Sequence, residues 1–373
     1  MHMSVMLEPR GVRLMRQTGL TLVELMVALT IGLFLTLGLM LMMSDTSRTF
    51  KIQDDYARMQ ENAVASLRYM SESLRHTGFY GMMAETGTLT QYGTIGSITN
   101  DCGNTFTTTV PLFGYAALTI SNVNATVPCI KAVNFQAGPV LIARLTSGLP
   151  VTDPNADGNF TDGIALQTGY ANTLYVQSNV RDGVVLKGSD FSGFAASASV
   201  KKFADDRQFP VFPYQLHTYY IRPCSRPTGG GAGDECQATD DNGRPVPTLV
   251  RQELQGLTMV ERPLAEGIER INLLYGLDMQ PAPDGDGVAD RFVADPLSVA
   301  ADGWARVVAV RVTLLARSPT PIGGYDDSSK NYDLNGDGTA DFTCAVGTIE
   351  CAYKRAIFSQ VIQVRNLAFR RGA

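Results

Sequence analysis

The 373-residue chain is predicted to be an α+β protein in which a long N-terminal helix packs on an antiparallel β-sheet with large β-rich insertions. Three observations predict it. An apolar stretch over residues 25–44 holds no Asp, Glu, Lys, Arg or His. Beyond it a stripe of apolar residues recurs every three or four positions, with neither Pro nor Gly between residues 44 and 77. From Gly78 the composition turns to Gly, Thr, Ser, Asn and Pro around short β-branched and aromatic runs.

At 1.5 Å per helical residue, residues 25–44 cover roughly the 30 Å of a bilayer core, and residues 20–44 read as the membrane half of helix one. Arg10, Arg13 and Arg16 outnumber Glu8 on the leading flank. By the positive-inside rule residues 1–19 are cytoplasmic and the rest lies outside, a single-pass N-in, C-out topology. A cleaved secretory signal would need small residues after the apolar run, and residues 39–44 are bulky and Met-rich. Glu24 is the lone carboxylate at the head of this run; in hydrocarbon it costs on the order of 2.5–3.5 kcal/mol unless a cation pairs with it or it snorkels to the interface.

Residues 45–77 continue the helix as an amphipathic half. Ile52, Tyr56, Met59, Ala63, Leu67, Met70 and Leu74 form its apolar stripe, with Asp54, Asp55, Arg58, Glu61, Arg68 and Glu72 between them. Gly78 terminates it, so a helix from about Leu20 to Thr77 would span on the order of 87 Å. A coiled-coil seam would require stricter seven-residue repeats. Residues 78–373 form the β-rich head, with predicted strands at 140–145, 173–177, 183–187, 213–222, 248–252, 269–275, 306–316 and 358–369. The segment 82–245 is read as an inserted subdomain or long loops.

Gly19, the bulky Leu20, then Thr21-Leu22-Val23-Glu24-Leu25 and an apolar helix behind a basic leader resemble the class III signal of type IV prepilins and pseudopilins. The resemblance implies that a prepilin peptidase cuts after Gly19 and N-methylates Leu20, and that Glu24 meets the α-amine of a neighbouring subunit during assembly. Leu20 stands where Phe is commoner. Further along, Met59-Gln60-Glu61-Asn62 and Leu74-Arg75-His76-Thr77-Gly78-Phe79-Tyr80-Gly81 resemble the PilW family of minor pilins. So do Tyr275-Gly276-Leu277-Asp278, the run Asp284-Gly285-Asp286-Gly287 to Asp290-Arg291, residues 308–318 and residues 358–367. Met82 departs from the Cys common there in the family, and residues 82–245 match no segment of it.

The implied fold is type IV pilin-like. The implied role is a non-enzymatic minor pilin that primes type IV pilus assembly, near the fibre tip, in the inner membrane before assembly and in the extracellular pilus afterwards. Its implied partners are other minor and major pilins, the prepilin peptidase and the inner-membrane assembly platform. Two alternatives remain at this stage: a J-like minor pseudopilin of type II secretion, and a prepilin-anchored adhesin or ligand-binding module that uses residues 82–245.

Cys102, Cys129, Cys224, Cys236, Cys344 and Cys351 all lie beyond the membrane run, where an even number suggests disulfides. Six cysteines allow fifteen connectivities. Joining sequence neighbours would pair Cys102 with Cys129, Cys224 with Cys236 and Cys344 with Cys351. No C-x-x-C occurs and the histidines are His2, His76 and His217, a poor zinc set.

Three acidic loops raise calcium, with no cofactor otherwise required. Asp333, Asn335, Asp337 and Asp341 occupy positions one, three, five and nine of an EF-hand-like loop with Gly336 and Gly338, and Cys344 stands where the bidentate acid belongs. Asp153, Asn155, Asp157 and Gly158 repeat the start of that spacing near Asp162, and Asp284, Asp286 and Asp290 are a poorer match. Solvated Asp-Gly turns account for the same pattern.

No catalytic residues are assigned. The run from Gly229 to Gly233 lacks the Lys and Ser/Thr of a phosphate loop, no G-x-S-x-G is present, and His217 sits in an apolar strand. Lys plus Arg total 31 against 36 Asp plus Glu, a net of −5, and no basic run outside the leader points to nucleic acid.

Overall fold

A computed structural model describes residue 19 and residues 21–83, 89–102, 110–157, 160–280 and 285–372. Helix α1 runs Leu22–His76, two residues later at its start than the sequence suggests. The chain divides into two units, the residues up to Asp54 and those from Asp55 onward. In the first, α1 exposes its apolar side chains all round, Leu22, Leu25, Phe34, Leu39 and Met43 among them. A helix apolar on every face needs lipid or neighbouring helices as its solvent.

In the second unit α1 buries Met59, Ala63, Leu67, Met70 and Leu74, five of the seven stripe residues. Each large one contributes roughly 1.5–3 kcal/mol by leaving water. Ser66, Ser71 and Ser73 are buried beside them; Ser66 Oγ donates to the Asn62 carbonyl at 2.7 Å, so its hydroxyl is satisfied within the helix. Asp55 is also buried and accepts from Thr320 Oγ1 at 2.8 Å.

The end of α1 is built by Gly78, whose φ of +76° only glycine adopts cheaply. A Cβ there would sit 2.6 Å from Leu367 Cδ1. Asn366 Nδ2 donates to the carbonyls of Arg75 and Thr77 at 3.3 and 3.2 Å, satisfying oxygens that the helix leaves open.

Two sheets follow, where the sequence suggests one. The larger has eight strands: β1 (Leu89–Gln91), β2 (Leu112–Leu118), β3 (Gly138–Thr146), β4 (Leu174–Ser178), β5 (Gly183–Lys187), β6 (Val211–Arg222), β7 (Thr248–Gln255) and β8 (Thr258–Glu266). Their order is β1-β5-β4-β6-β3-β2, with β7 and β8 extending from β6. Every pair is antiparallel except the short β1 with β5. The smaller sheet is wholly antiparallel, in the order β10 (Arg291–Val293), β9 (Ile268–Leu277), β11 (Val307–Arg317), β12 (Arg355–Gln363). Short helices α2 (Val123–Thr126), α3 (Thr161–Ala165), α4 (Phe191–Ala195) and α5 (Asp240–Gly243) occupy connections of the larger sheet.

Strand alternation sorts the core. Leu141, Ala143 and Leu145 of β3 with Tyr219 and Ile221 of β6 join the α1 stripe. Val140 and Ile142 with Tyr214, Leu216 and Tyr220 point to a second core behind the sheet, shared with the Cys102–Cys129 pair. From the smaller sheet, Ile271, Leu273, Val310, Val312 and Ile362 enter the α1 core, so the helix stripe is common to both sheets.

Three expectations are corrected. The middle segment is no appended subdomain: it supplies β1 to β6, and β6 pairs with β7 from the C-terminal third. The strand expected over 358–369 stops at Gln363, where Val364 N donates to the Val308 carbonyl and Ala368 N turns back to Val364, opening helix α6 (Arg365–Gly372). Strand β8 was not expected because Glu261, Arg262 and Pro263 interrupt its pattern, which only an edge strand tolerates.

A buried ionic group ties the excursion after β11 to the smaller sheet. Arg355 grips Glu269 through Nε and Nη2 at 2.6 and 3.1 Å, and its Nη1 lies 3.2 Å from Asp327 Oδ2. Asp327 also accepts from the hydroxyls of Tyr325 and Tyr332, and Lys330 Nζ is 3.2 Å away. Arg317 reaches Glu350 at 3.0 Å and donates to the Pro245 carbonyl at 2.7 Å.

Gly78→Ala is expected to destabilise the protein by about 1–2 kcal/mol, from the left-handed backbone and the crowding of Leu367. The denaturant midpoint should fall at unchanged slope. Asp327→Ala should cost roughly 1–3 kcal/mol, because Arg355 keeps Glu269 but the buried hydroxyl of Tyr332 and one side of the guanidinium lose their acceptor. Burial pushes the Asp327 carboxyl up, but hydrogen bonds from Tyr325, Tyr332, Lys330 and Arg355 outweigh it and hold the group below its usual range. A carboxyl depressed on folding stabilises fully above its unfolded value of about 3.9 and stops doing so as pH falls through the lower folded value. Acid titration of stability should therefore show a loss below about pH 4 that the Asp327→Ala protein lacks.

Candidate functional site

The residues that begin α1 form a reciprocal cap. Thr21 N and Thr21 Oγ1 both donate to Glu24 Oε2, at 3.0 and 2.9 Å, and Glu24 N donates to Thr21 Oγ1 at 3.3 Å. This is a capping box, Thr at the N-cap and Glu three residues on, in which each side chain satisfies the other's backbone amide. The T-x-x-E spacing ahead of an apolar run was the available sequence signal. Glu24 thus has a local role that the sequence reading did not assign. Both Thr21 bonds fall on one oxygen, and the carboxylate as a whole is exposed beside the helix N-terminus. Gly19 is exposed too; Leu20 and the leader 1–18 lie outside the described residues.

The cysteines are joined as Cys102–Cys129, Cys224–Cys236 and Cys344–Cys351, closing 27, 12 and 7 residues of chain separation. Cys224 and Cys236 lie with Asp240 in the one group of three metal-ligand types found close together among the described residues. Their sulfurs are bonded to each other, so they offer no thiolate.

In the loop 333–341 the acidic groups are engaged by the loop itself. Asp333 accepts from the amides of Gly336 and Gly338 at 2.6 and 2.8 Å, and Asp341 Oδ2 from those of Leu334 and Asn335 at 2.7 and 3.1 Å. Asn335 Nδ2 donates to Asp337 Oδ2 at 3.0 Å, and Thr339 N donates to Asp337 Oδ1 at 2.7 Å. Bonds from Thr339 and Asn335 lower the Asp337 pKa. The donors are all oxygens, as a hard cation wants, but the twelfth-position acid is absent and Cys344 is tied to Cys351. Among the described residues these carboxylates do not gather into a three-ligand cluster. In this conformation the loop's own amides and side chains engage these carboxylates and close the turn.

Of the other two acidic loops, Asn155 Nδ2 donates to Asp162 Oδ2 at 2.6 Å, with Asp157 exposed and Gly158 outside the described residues. In the third, Asp286 Oδ1 accepts from Val288 N at 2.9 Å and Asp290 Oδ2 from Met279 N at 2.8 Å; Asp284 is not described. Asp278, buried just past the end of β9, accepts from Gln280 N and Gly287 N at 3.1 and 3.0 Å and folds that loop back.

His217 meets Ser73 of α1, Nδ1 to Oγ at 2.8 Å, and Ser73 Oγ is 2.6 Å from the Tyr219 hydroxyl. Burial, with the Arg251 charge nearby, pushes the imidazole down to about 3. An imidazole so depressed is neutral at neutral pH and a weak base, far from the value near the working pH that general-base catalysis favours. The triplet is a polar contact within the α1 seam. His76 ends α1, with Nδ1 2.9 Å from the Glu72 carbonyl.

Comparison with known proteins matches two families. The Type IV Pilus-assembly protein W family matches residues 236–366, and the prokaryotic N-terminal methylation motif matches residues 14–40. The first span holds β7 to β12, the Asp278 turn and the buried ionic group. Among solved structures, a type IV-like pilin from Thermus thermophilus aligns at 13% identity over 58% of this chain and 100% of its own, with a TM-score of 0.19. A score that low says nothing about how the elements correspond. No curated protein matches the chain.

Proposed function

We propose that this chain is a membrane-anchored minor pilin that primes type IV pilus assembly, a reading supported by the methylation motif over residues 14–40 and the match to the Type IV Pilus-assembly protein W family over residues 236–366. The observation that carries the proposal is the methylation motif over residues 14–40 set against the Thr21–Glu24 box. After a cut behind Gly19, the new α-amine at Leu20 lies one residue from the cap. Glu24, with Thr21 on one oxygen, offers the other to the amine of a neighbouring subunit, which offsets the cost of a carboxylate in hydrocarbon.

In this proposal the chain works without catalysis. Its all-round apolar helix inserts N-in and C-out and then packs among the helices of other minor and major pilins, drawn from the inner membrane by the assembly platform. The head, rigidified by three disulfides, travels with it and ends near the fibre tip.

Mass spectrometry of membranes with an active prepilin peptidase should find a mature protein beginning at N-methylated Leu20. An intact Met1 terminus would refute the proposal. The second expectation separates the two roles of Glu24. Glu24→Gln keeps an amide oxygen for the Thr21 cap and loses the charge, whereas Glu24→Ala loses both. Both variants should insert normally and both should drop out of sheared fibres by about tenfold or more, the scale of a lost charge pairing in a low-dielectric setting. Full incorporation of Glu24→Gln would reduce the residue to its capping role.

A further inference from the structure

Among the described residues five strand edges bound the two sheets, and four are closed to further pairing. β1 and β10 have three residues each. β8 carries Glu261, Arg262 and Pro263 along its edge, and β2 contains Gly114 and a register break between Tyr115 and Leu118. These are the ordinary devices that prevent edge-to-edge association. β12 has none of them. It is nine residues long, pairs only with β11 among the described residues, and from 356 to 363 reads Ala-Ile-Phe-Ser-Gln-Val-Ile-Gln, with no charge, Pro or Gly. Ile357 and Val361 stand 40% and 53% exposed on its outward face.

The open edge also has room beside it. A groove of about 950 Å³ is walled by Ser359 and Gln360 of β12, by Arg68 and Arg75 of α1 and by Arg365 at the start of α6. The three arginines are exposed and no carboxylate pairs with them among the described residues; Glu72 is the one acid on the walls. We propose that the β12 edge and this groove are a docking site for an extended acidic strand of a partner protein, which adds to the smaller sheet beside α1. The incoming backbone would bond the outward amides and carbonyls of β12, while its carboxylates meet Arg68, Arg75 and Arg365. A second copy of this chain pairing edge to edge would bring two sets of these arginines together, so the occupant is a different protein.

The test uses the full-length protein in detergent micelles and a labelled (Glu-Val)4 peptide. Saturable binding is expected. N-methylation of alternate peptide amides, which blocks strand pairing but keeps charge, should weaken it by about tenfold or more, as should Val361→Glu or the double reversal Arg68→Glu, Arg365→Glu. Val361, Arg68 and Arg365 are all exposed, so circular dichroism and melting should match the parent protein. A (Lys-Val)4 peptide should not bind. The proposal is overturned by equal binding of the N-methylated peptide, by tighter arginine-dependent binding of a single-stranded oligonucleotide, or by no binding of (Glu-Val)4 at millimolar concentration.

Discussion

The apolar stripe of α1 is the constraint on which the head depends. Met59, Ala63, Leu67, Met70 and Leu74 are the meeting place of Leu141, Ala143 and Leu145 from one sheet with Ile271, Leu273, Val310 and Val312 from the other. Neither sheet buries that face without the helix. The three serines buried next to the stripe keep its profile low, and Ser73 turns its hydroxyl to good use against His217 and Tyr219.

The far end of α1 shows how local and distant residues share one task. Gly78 turns the chain, and Asn366, 289 residues away from Thr77, caps the carbonyls the turn leaves open. At the near end the cap is entirely local, with Thr21 and Glu24 satisfying each other. Glu24 therefore has a capping role visible within one chain. Capping occupies one of its two carboxylate oxygens.

The buried ionic group explains residues that pattern alone could only mark. Arg317 and Ser318 end the motif-bearing strand: Arg317 stacks 4.2 Å from the Tyr353 ring and reaches Glu350, while Ser318 exchanges bonds with Lys354 and Thr320. Arg355, Glu269 and Asp327 complete the set. Charges buried this deeply are kept by mutual pairing rather than by solvent, so the excursion between β11 and β12 docks in one arrangement. The Cys344–Cys351 bond closes the same excursion covalently.

The sequence by itself determined the uninterrupted apolar run, the extent of α1 to within two residues, most of the stripe that it buries, seven strands and part of an eighth, and the resemblance carried by about the first eighty and last hundred residues. These are legible because periodicity, charge exclusion and chain punctuation are local. Only the tertiary structure decided that there are two sheets, that the middle segment is woven into the larger, that the last strand yields to α6 at Gln363, and that neighbouring cysteines pair. The first three depend on contacts between residues far apart in the chain, for which alternation has no sign, and the cysteine pairing selects the neighbour connectivity from the fifteen that six cysteines allow. The buried Asp327, Glu269 and Arg355 were invisible for the same reason: a charged residue in sequence reads as solvated until the partner that neutralises it is brought beside it.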